Sequence, residues 1–435
     1  MTGANSDTAA LHLARFAALG GEAGVARARA MGRFEALGLP SQRIEAWHYT
    51  GLSALSKAAL APFDGGKAAS CAHDSMIAAR LGAGPRLVFA DGRLRSELSD
   101  LSGLPEGVRL LGLADARARE PNLVGNRFDA EHDARAMRAL NAAFAADGAV
   151  LVLPAGVWLD RPIQFLHFAA ASGAAFHLRH LVIAGEGSAA TIVETYFGAP
   201  RSESWTNAVT ELDLGQDATL RHVKWQDEAA LAFHTASAHA CLAGGARFES
   251  FVLHSGARLA RNEIDATFTG PGASCRLGGV TLARDKQHID NTTVIDHAAP
   301  ECTSREHYRG VLDGEARGVF QGRIVVRPRA QKTAANQLVE NLLLSERADA
   351  SAKPELEIHA DDVKCGHGAT VGALDELALF YLRARGIGLE RARAMLVEGF
   401  VAALVDEVED EGVRALLSSA VTGWLGQAVD ERLSA

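Results

Sequence analysis

The chain of 435 residues is long enough for about three domains, and 48% hydrophobic against 22% charged residues is typical of a globular protein with a large core. Its net charge of −9 argues against nucleic acid or an anionic membrane as the main partner. The N-terminus is too polar for a secretory signal and no apolar run could span a bilayer, so we expect a cytoplasmic protein.

Residues 1–145 are predicted to form a mostly helical N-terminal domain. Alanine-rich stretches at residues 23–37 and 134–146 carry apolar residues at helical spacing. Between them, Pro40 and the polar residues after it indicate a break in regular structure.

The pattern changes near Ala149, and residues 146–371 are predicted to form a β core. Short apolar segments follow one another without long amphipathic helices between them, which leaves a sandwich, a barrel or a solenoid. Gly-Ala turns recur at residues 245–246, 256–257 and 272–273. Such turns in a long array favour a parallel β-helix, in which each coil stacks on the one before.

Helical periodicity returns after Gly372, so residues 372–435 predict a C-terminal helical domain. The first helix has an apolar face made of Leu377, Phe380, Tyr381 and Ala384. Gly386 is placed to end that helix, and two more apolar stripes follow at residues 389–403 and 413–424.

Motifs for catalysis are missing or misplaced. Residues 185–190 (GEGSAA) fit the dinucleotide pattern GxGxxA, but a β-branched and aromatic run follows instead of the helix that a pyrophosphate site needs. The sequence contains neither a GxxxxGK[ST] phosphate loop nor a GxSxG nucleophile turn. We therefore predict that the chain alone is not an enzyme and has no catalytic residues.

The five cysteines are expected to be reduced, because their number is odd and the chain lacks a signal peptide. They are Cys71, Cys241, Cys275, Cys302 and Cys365. No CxxC pair occurs, which argues against a self-contained zinc or ferredoxin-type site. Most buried cysteines act as small apolar residues, and that is the first expectation for each of these.

Cys365 and His367 are the candidate metal ligands. They are two positions apart, so on an extended strand they face the same side and offer half of a soft-metal site. The glycines beside them permit another backbone to approach closely. Distant residues of this chain or a partner chain would have to complete the ligand set.

A polysaccharide lyase or hydrolase of the β-helix type is the alternative hypothesis. Asp361 and Asp362 are neighbours, so on a strand they point to opposite faces and cannot form an acid–base pair. Carboxylates from different coils could still converge into an active site.

A series of short segments in fixed order resembles one known family. The most distinctive segment is KCGHGATVG at residues 364–372, and the others lie at residues 43–50, 288–297, 308–312, 319–322, 330–333, 342–345, 353–358 and 381–386. These segments resemble the SufB/SufD family of iron–sulfur cluster assembly proteins, and the match runs from Arg43 to Phe400.

The resemblance implies a right-handed parallel β-helix flanked by N-terminal and C-terminal α-helical domains. It implies a complex in which SufB pairs with the β-helix core and the ATPase SufC binds the C-terminal helices and hydrolyses ATP. A transient iron–sulfur cluster, shared with SufB, would form at the SufB interface near Cys365 and His367, with His367 the stronger ligand candidate. Reduced flavin accompanies some such complexes, but no motif here predicts its site. His359, just upstream, could lie near the site or be an ordinary strand residue, and we expect the second.

Overall fold

The computed structural model describes residues 7–20, 24–63, 81–82, 84–125 and 135–434. Helices occupy both terminal regions. Those on the N-terminal side are α1 (Asp7–Leu19), α2 (Gly24–Leu37), α3 (Ser53–Lys57), α4 (Leu113–Arg119), α5 (Pro121–Val124) and α6 (Ala136–Phe144), with a short 3-10 helix at Glu45–Trp47. Those on the C-terminal side are α7 (Glu376–Ala384), α8 (Leu389–Val405) and α9 (Glu411–Ser434). None of the described helices is long and apolar enough to cross a membrane.

The strands form two long sheets. They are β1 (Ala61–Pro62), β2 (Arg86–Ala90), β3 (Arg93–Leu94), β4 (Arg109–Gly112), β5 (Ala149–Leu153), β6 (Ile163–Ala169), β7 (Ala174–Ala184), β8 (Ala189–Gly198), β9 (Ser204–Leu214), β10 (Thr219–Asp227), β11 (Phe233–Leu242), β12 (Arg247–His254), β13 (Leu259–Phe268), β14 (Ser274–Ala283), β15 (His288–His297), β16 (Thr303–Leu312), β17 (Arg317–Val326), β18 (Thr333–Leu343), β19 (Asp349–Ile358) and β20 (Val363–Gly372).

The chain alternates between these sheets and so builds a parallel β-helix. The first sheet contains the odd-numbered strands from β5 to β19 together with β1 and β4, and the second contains the even-numbered strands from β6 to β20 together with β2 and β3. From β5 onward, consecutive strands of each sheet pair in parallel. The prediction of a mainly β protein with a parallel β-helix between helical ends is confirmed.

The core of the β-helix lies in the lumen between the sheets. Side chains alternate along each strand, so every second residue faces inward. Phe248 and Leu277 of the second sheet pack in one buried cluster with Ile295 and Ile324 of the first. Stacking one coil on the next makes this apolar column continuous, which is how a repeat array obtains a core that no single coil could bury.

Antiparallel strands end both stacks at the N-terminal end. β3 pairs antiparallel with β2, and β4 pairs antiparallel with β5. Rings fill the lumen nearby: His167 stacks between Phe89 and Tyr196, at centroid distances of 5.1 and 4.3 Å. Burial lowers the pKa of His167 well below its usual value, so this histidine is a neutral core residue.

Residues 43–50 attach the N-terminal helices to the outer face of the first sheet. The buried ring of Trp47 covers the guanidinium of Arg261, with 4.1 Å between the ring centroid and the Arg261 carbon Cζ. Arg261 also forms ion pairs with Glu263 and Asp290, and the Thr50 hydroxyl donates to the Asp290 carboxylate. Residues 43–50, one of the family-like segments of the sequence, therefore hold the N-terminal helices on the β-helix, and we call this segment the latch.

The C-terminal helices α8 and α9 pack on the outer face of the second sheet. Val401 of α8 and Leu417 of α9 share a buried cluster with the outward-facing residues Val280 and Val311. Helix α7 behaves differently, because Leu379 is buried while Leu377, Phe380 and Tyr381 are exposed to solvent. Gly386 lies just beyond its end with φ of +85°, a left-handed conformation suited to glycine.

Candidate functional site at the open end of the β-helix

The C-terminal end of the β-helix is formed by β19 and β20, which we call the open end. Each is the terminal strand of its sheet, with β17 and β18 as their respective neighbours. Most residues of β20 are exposed, whereas strands in the middle of the stack are mostly buried. An edge of this kind presents unpaired backbone N–H and C=O groups to a partner.

Cys365 and His367 lie together on β20 and face the lumen at this open end. Their register partners on β18 are Ala335 and Gln337, both of which are buried inside the β-helix. The Cys365 side chain packs against the main core cluster, and His367 is exposed on β20, the terminal strand of its sheet. The structure thus brings the two predicted ligands to one face, with the imidazole the more accessible of the two.

The Cys365 thiol needs a bound cation to become a strong ligand. Partial burial raises its pKa, and a hydrogen bond with the Ala335 backbone only partly opposes that shift. A soft metal ion can displace the proton and bind the thiolate. Within the described ranges, no group of three or more His, Cys, Asp or Glu side chains is arranged to hold a metal ion. Further ligands would therefore have to come from another molecule.

The glycine beside both candidate ligands leaves room for a neighbour. A Cβ atom built on Gly366 would come no closer than 3.7 Å to the Asn336 side chain, an ordinary contact. The fold of this chain therefore does not require glycine at that position. A bare backbone beside Cys365 and His367 suits the close approach of a second chain.

His359 and the adjacent aspartates lie away from this lumen-facing pair. His359 follows β19, and its ring contacts the exposed Glu357 carboxylate at 3.1 Å. Asp361 and Asp362 are in the turn between β19 and β20 rather than on a strand. The sequence predicts a strand position for His359, but the residue lies one position beyond the end of β19 as an exposed surface residue.

The other described cysteines have separate environments, and Cys71 lies outside the described residues. Cys275 and Cys302 are buried in the core, where burial raises the pKa of each thiol. Cys241 is partly exposed on the outer face of the first sheet, 3.9 Å from Nδ1 of His239. The contact with Cys241, followed by that with Glu211, raises the pKa of His239 to about 10. Sequence reasoning missed this pair, although its His-x-Cys spacing could have signalled it.

Helix α7 carries a second exposed feature beyond the open end. Three side chains of its predicted apolar face are largely in solvent: Leu377 (79% exposed), Phe380 (72%) and Tyr381 (58%). The Asp375 carboxylate accepts from the backbone N–H groups of Leu377 and Ala378, so the helix is well capped without help from a neighbour. Clustered apolar side chains of this size on a surface typically mark an interaction site.

The fold and site together define a parallel β-helix protein with helical ends that offers metal-binding side chains at one end. Two family models match the chain: "SUF system FeS cluster assembly, SufBD core domain" over residues 167–400 and "SufBD protein N-terminal region" over residues 23–165. The chain therefore belongs to the SufBD family, which gives it a role in iron–sulfur cluster assembly.

Individual relatives agree with that assignment. The iron–sulfur cluster assembly protein SufD of Escherichia coli is 30% identical over 382 residues, covering 87% of each chain. A SufBD family protein of Synechocystis is 29% identical over 407 residues, covering 89% of this chain and 87% of the relative. SufD of Bacillus subtilis is 28% identical and covers 75% of each chain. The predicted membership of the SufB/SufD family is confirmed.

Proposed function

We propose that this chain is the SufD-type scaffold subunit of a Suf complex, in which iron and sulfide are assembled into a cluster at its interface with SufB. The observation that carries the proposal is a thiol and an imidazole on the edge strand of an open β-helix, in a chain of the SufBD family. His367 and Cys365 supply part of the ligand set, and the cluster is the cargo of the complex. Thiolate and imidazole both occur as ligands of iron in clusters.

Pairing with SufB would use the β-helix core, residues 146–371. An exposed terminal strand can extend its sheet into a second chain through backbone hydrogen bonds. Both sheets end at the open end, so a β-helix partner could continue the two together. This arrangement would also enclose His367, whose imidazole otherwise faces solvent.

Binding of the ATPase SufC would use the C-terminal helices, residues 372–435. Leu377, Phe380 and Tyr381 form an apolar face on a capped helix, as expected for a helix that docks in a groove. ATP hydrolysis would then belong to SufC, and this chain would be a non-catalytic subunit working in the cytoplasm.

The ligand role of His367 is tested in the co-expressed SufB–SufC–SufD-type complex, purified anaerobically. We expect His367→Ala to leave the complex intact and to lower its iron and sulfide content severalfold. His359→Ala is the matched control, because it removes an exposed histidine from the same end of the β-helix. Cys365→Ala should have a weaker effect than His367→Ala if SufB supplies the main thiolates.

Two results would contradict this assignment. One is a His367→Ala complex that holds as much iron and sulfide as the His359→Ala complex. The other is oligosaccharide cleavage by the isolated chain, which would favour the alternative of a polysaccharide lyase or hydrolase.

The SufC contact is tested with a double substitution on α7, Leu377→Ser with Phe380→Ser. Both side chains are exposed, so the isolated chain should keep its stability while SufC is lost from pull-downs. Leu231→Ser is the control, because Leu231 is an exposed leucine of the β-helix region, distant in sequence from α7. Equal SufC recovery with both variants would exclude this face as the contact.

A further inference from the structure

A column of three polar residues runs inward from the open end. Glu306 of β16, Gln337 of β18 and His367 of β20 are successive register partners in the second sheet. Glu306 and Gln337 are fully buried in the lumen, whereas His367 ends the column at the surface. The proposed ligand therefore has a buried amide and a buried carboxyl directly behind it.

Two buried atoms of these three residues lack a hydrogen-bond partner among the described parts of the chain: Oε1 of Gln337 and Oε1 of Glu306. The Gln337 amide nitrogen Nε2 donates to the Glu306 carboxyl oxygen Oε2. The Gln337 amide oxygen Oε1 is buried and accepts no hydrogen bond from any part of the chain that the structure describes. Buried polar atoms are nearly always paired, so an unpaired acceptor in the lumen indicates an interaction still to be made. The amide nitrogen of Gln337 bonds to Glu306 on β16. Its amide oxygen is therefore available to a donor on β20, the other strand that neighbours β18.

The stacking of the coils does not itself require polar residues in this column. The register partner of Glu306 on the preceding strand of the sheet is Leu277, an ordinary buried residue of the core. Ala335 and Val339, the inward-facing residues on either side of Gln337, are also apolar. Leu277 thus ends the run of polar residues behind His367, although the same column contains two more polar residues further from the open end, Ser250 and His222.

A histidine that binds a metal through one ring nitrogen normally donates a hydrogen bond from the other to a fixed acceptor. We propose that Gln337 and Glu306 form a buried hydrogen-bond relay that positions His367 when it binds iron. His367 would donate to Oε1 of Gln337, whose amide already donates to Glu306. Gln337 and Glu306 are positioning residues, and this inference rests on the ligand role of His367 proposed above.

The protonation state of Glu306 can change when iron binds at the open end. Burial raises the pKa of Glu306 to about 7, although the Thr293 hydroxyl and the Gln337 amide act in the opposite direction. The titratable groups that face it are the Cys275 thiol and the Tyr308 hydroxyl, and the pKa of each is raised by burial and by Glu306. Both therefore stay uncharged near neutrality. A cation at the open end favours the carboxylate form of Glu306, which strengthens the acceptor end of the relay.

The test uses the co-purified complex with SufB and SufC, loaded with ferrous iron and sulfide, and measures iron loss to an external chelator. We expect Gln337→Leu to lose iron about tenfold faster than wild type, the size of effect typical for the hydrogen-bond partner of a metal ligand. Asn336→Leu is the matched control, because Asn336 is exposed on the outer face of the same strand. Glu306→Gln should increase the rate of iron loss less than Gln337→Leu does. Its rate should differ from that of wild type more at about pH 8 than at about pH 6, because only wild type gains a carboxylate as the pH rises.

The outcomes separate this inference from the ligand role of His367. If His367→Ala loads and retains iron like wild type, the ligand role fails and the relay with it. If His367→Ala loses iron while Gln337→Leu and Glu306→Gln match Asn336→Leu at both pH values, only the relay is wrong. Should Gln337→Leu fail to fold, the nearly isosteric Glu306→Gln variant decides through its pH dependence.

Discussion

The two ends of the β-helix differ in how the terminal strands of the sheets are covered. At the N-terminal end, antiparallel strands stop both sheets, aromatic rings fill the lumen, and the latch around Trp47 ties the helices to the outer surface. At the open end, β19 and β20 keep free edges, and the residues behind them in the lumen include a buried amide and a buried carboxyl. Buried charged groups also occur nearer the closed end, where Glu194 contacts His222, so the open end is distinguished by a polar column that continues to an exposed edge strand.

This contrast indicates where stability and function separate in the molecule. Substitutions in the latch should destabilise the chain, because they remove well-packed contacts. Substitutions at the open end should change stability little or even raise it, because polar groups in the lumen carry a desolvation cost. The predictions below test this division with the isolated chain.

The largest effect is expected from Trp47→Ala. Removing a buried tryptophan should lower the free energy of unfolding by about 3 kcal/mol or more. The change also uncovers Arg261, whose ion pairs with Glu263 and Asp290 would then be open to water. Denaturant unfolding measures the loss, and limited proteolysis should show earlier cleavage among the N-terminal helices.

Trp158→Ala is the matched control for the latch. Trp158 is 72% exposed and Trp47 is 7% exposed, and the Trp158 indole N–H makes one hydrogen bond with the Gly187 carbonyl. Its removal should cost no more than about 1 kcal/mol. Similar losses for the two tryptophans would refute the view that the latch is a main source of stability.

Glu306→Gln should stabilise the chain at neutral and alkaline pH. The pKa of Glu306 is raised from 4.5 to about 7 in the folded protein, so the native state binds this proton more tightly than the unfolded state. The stability that this group contributes is complete below about pH 4.5 and is lost as the pH rises through about 7. Above that pH, the variant should exceed wild type by on the order of 3 kcal/mol.

Unfolding measured across that pH range tests the prediction directly. The advantage of Glu306→Gln over wild type should grow between about pH 4.5 and 7 and then level off. A constant difference at all pH values would mean that packing, rather than ionisation of a buried carboxyl, explains the effect.

The sequence predicted the features that depend on short spacing. Alternation along a strand placed Cys365 and His367 on one face, and the 3.6-residue period grouped Leu377 with Phe380. Recurring turns and the lack of interleaved helices predicted the β-helix. Gly245 and Gly272 adopt positive φ in two of those turns, whereas in the third Ala257 rather than Gly256 does so.

Features that depend on the register between coils could not be predicted. Glu306, Gln337 and His367 meet only because successive coils align them, and the repeat is too irregular to reveal that alignment. Periodicity likewise did not reveal that the predicted face of α7 is exposed. On α8 it predicted a stripe of Leu389, Ala392, Leu396, Phe400 and Ala403, whereas Val397 and Val401 are buried and Ala403 is exposed. Both outcomes are decided by packing between distant segments of the chain.

The smallest change in stability is expected for Gly366→Ala at the open end. A Cβ atom there would lie 3.7 Å from the Asn336 side chain, so the free energy of unfolding should change by no more than about 0.5 kcal/mol. The matched control is Gly279→Ala, in the same sheet but inside the stack. Its Cβ would lie 2.6 Å from a Val252 methyl group and 2.9 Å from the Tyr308 ring, which should cost about 1–3 kcal/mol.

SufB binding by the two glycine variants provides a second comparison between the open end and the interior of the stack. If a SufB strand extends the sheet at the open end, the methyl group of Gly366→Ala lies on the outer face beside the side chains of that strand, and pull-down of SufB should fall although the chain itself is as stable as wild type. Gly279→Ala should show the reverse pattern, with lower stability but normal SufB recovery from the folded fraction. Unchanged SufB binding by Gly366→Ala would mean that no SufB side chain packs closely on the outer face of this strand, and the shared site at Cys365 and His367 would then need a different geometry.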